Sequence, residues 1–161
     1  MKKAIGNLVA LLLSTLVALI FSEAAFRVVL DPIDFLQPDL VADQRLNHKI
    51  RPGSGGHDQW GFRNDSVPES TAVLAVGDSM TYGVSAPLDG AWPQQLATTL
   101  GRPVYNMALG GYGPLQYLHL LRSKGPALNP DVVIVGFYFG NDLMDAYNLA
   151  YGNDHWSEYR A

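Results

Sequence analysis

Gly77-Asp78-Ser79 follows directly on the apolar run Ala72-Val73-Leu74-Ala75-Val76, which puts a serine hydroxyl where a buried strand ends and the chain turns. In open α/β sheets ligands bind outside the carboxyl ends of the strands, and a glycine before the turn lets the backbone bend tightly enough to expose the serine. Two further strand ends repeat the pattern. Val104-Tyr105 runs into Asn106-Met107-Ala108-Leu109-Gly110-Gly111, and residues 132–138 run into Phe139-Gly140-Asn141-Asp142. Three strand tips thus offer a serine, a glycine loop and an asparagine to one cleft. The chemistry suited to that set is acyl transfer, in which serine attacks an ester carbonyl and backbone N–H groups and a side-chain amide receive the oxyanion. Losing one such donor typically costs about a hundredfold to a thousandfold in turnover.

The three ordered blocks, Gly77-Asp78-Ser79, Asn106 with Gly111 five residues later, and Asn141-Asp142, resemble the SGNH (GDSL-type) hydrolases over residues 60–142. Gly61-Phe62-Arg63 adds a likeness to membrane-tethered bacterial members. The resemblance implies Ser79 as nucleophile, and an oxyanion hole made of the Ser79 N–H, the Gly111 N–H and the Asn141 side chain. Asp78, Asn106, Gly110 and Asp142 would support them. Phe139 stands where the family's third block usually has its first glycine. The family's general base lies in a late Asp-x-x-His block, whereas His48, His57, His119 and His155 are preceded at that spacing by Arg45, Ser54, Gln116 and Gly152. No metal or nucleotide cofactor is implied.

Apolar strands at 72–76, 103–107 and 132–138 alternate with helices at 92–100 and 115–123. This predicts a doubly wound, flavodoxin-like parallel sheet with helices on both faces and strand order 2-1-3. Pro93 fits the first turn of its helix, and Gly101 and Gly125 sit where helices should stop. The chain ends at residue 161, twenty residues after Asn141. That is too few for the elements that complete such a sheet, so the domain is expected to be incomplete. The 132–138 strand would then be an apolar edge, covered by a missing C-terminal half or by a partner. A missing half would also carry the base, with His155 the first candidate if the base lies within this chain.

A 161-residue chain with 48% hydrophobic content buries one core, and a formal charge of −4 leaves no electrostatic footprint for nucleic acid. Zero cysteines exclude disulfides and thiolate metal sites. After Lys2 and Lys3, residues 4–22 are uncharged and apolar, long enough to cross most of a hydrocarbon core. Their length favours an uncleaved anchor over a signal peptide cut near Ser22-Glu23-Ala24, and the preceding lysines put the rest of the chain outside the cytoplasm. The organisation expected is therefore an anchor at 1–27, linker and docking loops at 28–70, and the N-terminal part of the hydrolase domain at 71–161. Phe35-Leu36, Trp60 and Phe62 are the apolar residues able to dock the linker, and Arg63-Asn64 reads as a loop anchor.

Plainer readings accompany each motif. Asp78-Ser79 and Asn141-Asp142 are also common helix caps, Gly110, Gly111 and Gly113 also suit a simple turn, and His119 and His155 read as structural or solvated. The functional expectation is a membrane-tethered serine ester hydrolase acting on an acylated small molecule, glycan or lipid. An O-acyltransferase with a sugar acceptor, or an inactive envelope protein that keeps the cleft for binding, are the alternatives.

Overall fold

The computed structural model describes residues 2–30, 32–35 and 37–160. The chain forms two compact units that divide between residues 35 and 36. In the first, α1 (Lys2–Val29) is a 28-residue helix with no buried side chain, about 42 Å long at 1.5 Å per residue. It is long and apolar enough to cross a membrane, and by length and position it is equally compatible with a signal sequence. Leu36, part of the apolar stretch expected to dock, lies outside the described residues.

The second unit is an α/β layer structure. β3 (Val73–Gly77) pairs in parallel with β4 (Val104–Asn106) on one side and β5 (Val132–Gly136) on the other, giving the order β4-β3-β5. This is the order expected. α2 (Ser79–Tyr82) follows β3, α3 (Trp92–Leu100) and α4 (Pro114–Ser123) are the crossover helices, and α5 (Asp142–Gly152) follows β5. Pro93 and Pro114 sit in the first turns of their helices, where a missing N–H costs nothing.

Every residue of β3 is buried, because a central strand in a parallel sheet is covered on both faces. β4 and β5 are the edges, and on β5 Val132, Val133 and Val135 are 52%, 44% and 49% exposed. The ladder ends at Gly136, two residues short of the expected strand end, and 137–141 turn into α5.

The segment before the sheet carries more structure than linker and docking loops. β1 (Leu40–Asp43) and β2 (Asn47–Ile50) form an antiparallel hairpin around a three-residue loop closed by Asn47 at φ 70°. Asn tolerates that left-handed conformation, and such loops are the next commonest after two-residue turns. Asp43 stabilises the turn by accepting from the Arg45 and Leu46 N–H groups. Burial pushes its carboxyl up, but those donors and the Lys49 ammonium outweigh burial and hold it at about 2. Leu46, Ile50 and Phe62 join Leu74, Val76, Tyr105, Met107, Tyr112, Leu120 and Leu128 in one core. A smaller cluster of Leu115, Leu149, Ala150 and Trp156 joins the start of α4 to α5. Trp156 donates its indole N–H to the Arg45 carbonyl at 2.8 Å, which brings the end of the chain back to the hairpin loop.

Candidate active site

Ser79 is the first residue of α2 and is half-buried at the tip of β3. The cap of that helix is Asp78, fully buried, which accepts from the Met80 N–H at 2.9 Å. Asp78 therefore does hold the cap position and leaves the serine hydroxyl free for other work. Ser79 Oγ has one partner among the described residues, Asp78 Oδ2, at a long 3.4 Å. The helix can begin this close to the sheet because Gly77 and Gly136, paired across β3 and β5, leave room for the Thr81 side chain. A Cβ at either position would overlap the Thr81 hydroxyl.

The second block comes off the outer strand β4. Asn106 is fully buried; its side chain donates to the Thr81 carbonyl at 3.0 Å and accepts from the Ala108 N–H at 3.2 Å. One asparagine thus ties the serine helix to the start of the glycine loop. Asn64 holds Asn106 from the other side. Its amide donates to the Asn106 carbonyl at 2.9 Å and accepts from the Asn106 N–H at 3.0 Å. It serves as the next strand would, closing the edge of β4. Asn64 also donates to Asp58, a buried carboxylate that accepts from Trp60 N–H, Phe62 N–H and Tyr105 hydroxyl as well. Burial and Asp58 push the Tyr105 hydroxyl far up, so it stays a donor. Arg63 is the anchor beside them, donating to the Gly83 and Ala86 carbonyls at 2.7 and 2.9 Å.

The glycine loop lies against Ser79. A Cβ on Gly110 would stand 3.6 Å from the Ser79 Cβ, so the loop backbone passes the serine at van der Waals range. His48 of the hairpin donates from Nε2 to the Gly110 carbonyl at 3.1 Å; a carbonyl only accepts, so this nitrogen carries the proton. A trans peptide points its C=O and the following N–H in opposite directions. His48 therefore turns the Gly111 N–H away from itself. Gly111 sits at φ 78°, a conformation that favours glycine. Among the described residues neither the Gly111 N–H nor the Ser79 N–H donates to a protein acceptor.

The third block meets this loop through Gly113. A Cβ there would reach the Asp142 carbonyl at 3.0 Å and the Asp145 Cβ at 3.1 Å. Asn141 occupies the cap position of α5 without a capping bond, and its amide donates to Asp145 Oδ2 at 2.5 Å. Asp142 is buried. Its Oδ2 accepts from the Tyr138 N–H and the Tyr117 hydroxyl, both at 3.0 Å, while Oδ1 has no hydrogen-bond partner among the described residues. Burial raises its pKa, with Asp78 and Asp145 adding to the rise, against the lowering effect of its two donors.

None of the four histidines hydrogen-bonds Ser79. His48 holds Gly110, His57 donates to the Gly55 carbonyl and accepts from the Tyr82 hydroxyl, and His119 and His155 lie against Trp156 at ring distances of 6.1 and 5.0 Å. His155 is exposed. His48 and Asp58 are participants that the sequence motifs did not single out. Gly110, which His48 holds, and Tyr105, which donates to Asp58, lie 62 and 47 residues away, beyond any local pattern.

A parallel sheet with a serine helix, a glycine loop and an Asn-Asp turn at its three strand tips defines an α/β protein of the hydrolase type. Comparison with known families matches residues 75–158 to the GDSL-like Lipase/Acylhydrolase family, and the chain belongs to it. No curated protein and no solved structure matches it. The family's activity is ester hydrolysis or a related reaction.

Proposed function

We propose that Ser79 is the nucleophile of an acylhydrolase site, with the Ser79 and Gly111 N–H groups and the Asn141 side-chain amide as oxyanion donors, and that α1 tethers this site outside the cytoplasm. The carrying observation is the half-buried Ser79, whose N–H has no protein acceptor among the described residues and whose Cβ lies at van der Waals range of the Gly110 backbone, because half-buried backbone donors are otherwise usually satisfied. An amide nitrogen carries two hydrogens, so Asn141 keeps one for the oxyanion while the other goes to Asp145. Asp78, Asn106, Gly110 and Asp142 hold these groups in place. In the reaction the Ser79 oxygen bonds to the ester carbonyl carbon, the oxyanion collapses, the alcohol leaves, and water releases the acid. The Ser79 hydroxyl proton passes to a base in this step, and among the described residues the one group bonded to that hydroxyl is Asp78, at 3.4 Å.

The test is labelling of the full chain with a fluorophosphonate, which reports an activated serine without knowledge of the substrate. Ser79→Ala should abolish labelling, and Asn141→Ala should slow it tenfold or more. Labelling of Ser79→Ala at the parental rate overturns the assignment. The lack of a histidine at Ser79 favours one second reading, a binding protein that keeps the cleft; it predicts no labelling in the parent either.

A further inference from the structure

A cavity of about 210 Å³ opens between the β1–β2 hairpin, the Trp60–Phe62 turn and α4, and none of its lining residues belongs to the serine site. Its floor is apolar. Ile50, Phe62 and Leu120 are 1%, 3% and 0% exposed, and Trp60 forms part of the wall. At about 30 Å³ per water, it has room for about seven waters, below the size of drug-binding pockets. Its rim is cationic. Arg45, Lys49 and Lys124 line it against one carboxylate, Asp43, in a chain whose net charge is −4.

That carboxylate is already committed. Asp43 pairs with Lys49 at 2.9 Å and accepts from two backbone N–H groups of its own turn. Arg45 and Lys124 have no ion-pair partner among the described residues. Lys124 instead lies over the Trp60 ring, 4.4 Å from its centre. Burial and then the neighbouring Lys49 lower its pKa against the opposing pull of Asp58 and Asp43, and the His119 pKa is lowered by burial, Arg45, His155 and Lys124 against Asp43. Two cations without an ion pair among the described residues, above an apolar floor, form a site suited to an anion. A guanidinium presents two parallel donors to a carboxylate or phosphate, and an ammonium adds a point charge.

We propose that this cavity binds a small organic anion, a carboxylate or phosphate carried on a ring or short apolar body, with Arg45 and Lys124 on the anionic group and Ile50, Phe62 and Leu120 beneath the body. The inference does not rest on the assignment of Ser79. The test is calorimetric titration of the full chain in detergent micelles with phenyl phosphate, benzoate and neutral benzamide. Phenyl phosphate should bind most tightly and benzamide at least tenfold more weakly than either anion. Lys124→Gln should weaken phenyl phosphate tenfold or more, and Lys124→Arg should restore it to within a few-fold. Arg45 is exposed, so Arg45→Gln carries the test if Lys124→Gln loses its far-ultraviolet circular dichroism. Benzamide binding as well as phenyl phosphate, or an affinity unmoved by Arg45→Gln and Lys124→Gln, would overturn the proposal.

Discussion

Asn64 closes the outer edge of β4 at the residue that carries the glycine loop, and removing its side chain measures what that closure contributes. Asn64→Ala deletes three hydrogen bonds, at 2.9, 3.0 and 3.0 Å. It leaves the N–H and C=O of Asn106, a residue 0% exposed, without partners. Each orphaned buried group costs about 1–3 kcal/mol, and water entering the vacated space sets the lower end, so the loss should be about 2–5 kcal/mol. A domain of this kind has about 5–15 kcal/mol in total, so the effect is large. Asn64→Asp discriminates the mechanism. It still accepts from the Asn106 N–H, but it sets a carboxylate against the Asn106 carbonyl and the Asp58 carboxylate, and should be less stable than Asn64→Ala at pH 7. Equilibrium denaturation followed by tryptophan fluorescence reads both variants. Because Asn106 also holds Thr81 and Ala108, Asn64→Ala should slow fluorophosphonate labelling of Ser79 as well. A loss below about 0.5 kcal/mol for Asn64→Ala, or an Asn64→Asp protein more stable than Asn64→Ala, would refute this account.

Asp142 should behave oppositely. Its raised pKa means the folded state holds the proton more tightly than the unfolded one, so its contribution is full below the ordinary carboxylate range and is lost as pH rises through the folded pKa. Asp142→Asn, which mimics the protonated acid, should be at least as stable as the parent at pH 7, with the difference shrinking toward pH 4; a loss above about 1 kcal/mol at pH 7 would contradict this. Gly113→Ala should cost about 1–3 kcal/mol, because the added methyl meets the α5 backbone. It should also slow Ser79 labelling with helical content unchanged, and parental labelling would show that the Asn141 turn need not touch the loop. The α1 tether predicts that the protein stays in the membrane fraction through high salt and leaves with detergent; a soluble product beginning near Ala25 would instead identify a cleaved signal.

The three parallel strands and their order were legible in the sequence because strands buried on both faces read as unbroken apolar runs, and right-handed crossovers leave few orders for a βαβαβ chain. The serine, glycine-loop and asparagine blocks were legible because each sits within a few residues of its strand end. The hairpin at 40–50 was not. Its strands are four residues each with no glycine or proline in the turn, so neither alternation nor turn chemistry marks them, and their place is decided by Leu46 and Ile50 entering the core. α5 was missed as well, since its buried Leu149 and Ala150 are covered by Leu115 and Trp156 from other parts of the chain. By itself the sequence determined which residues stand at the strand tips, a matter of local spacing and periodicity. Only the tertiary structure decided what holds them: His48 on the Gly110 carbonyl, Asn64 on Asn106 with Asp58 behind Asn64, and Thr81 between Gly77 and Gly136. Most of these contacts join residues tens of positions apart, and no local pattern encodes a hydrogen bond whose geometry exists only once the core has closed.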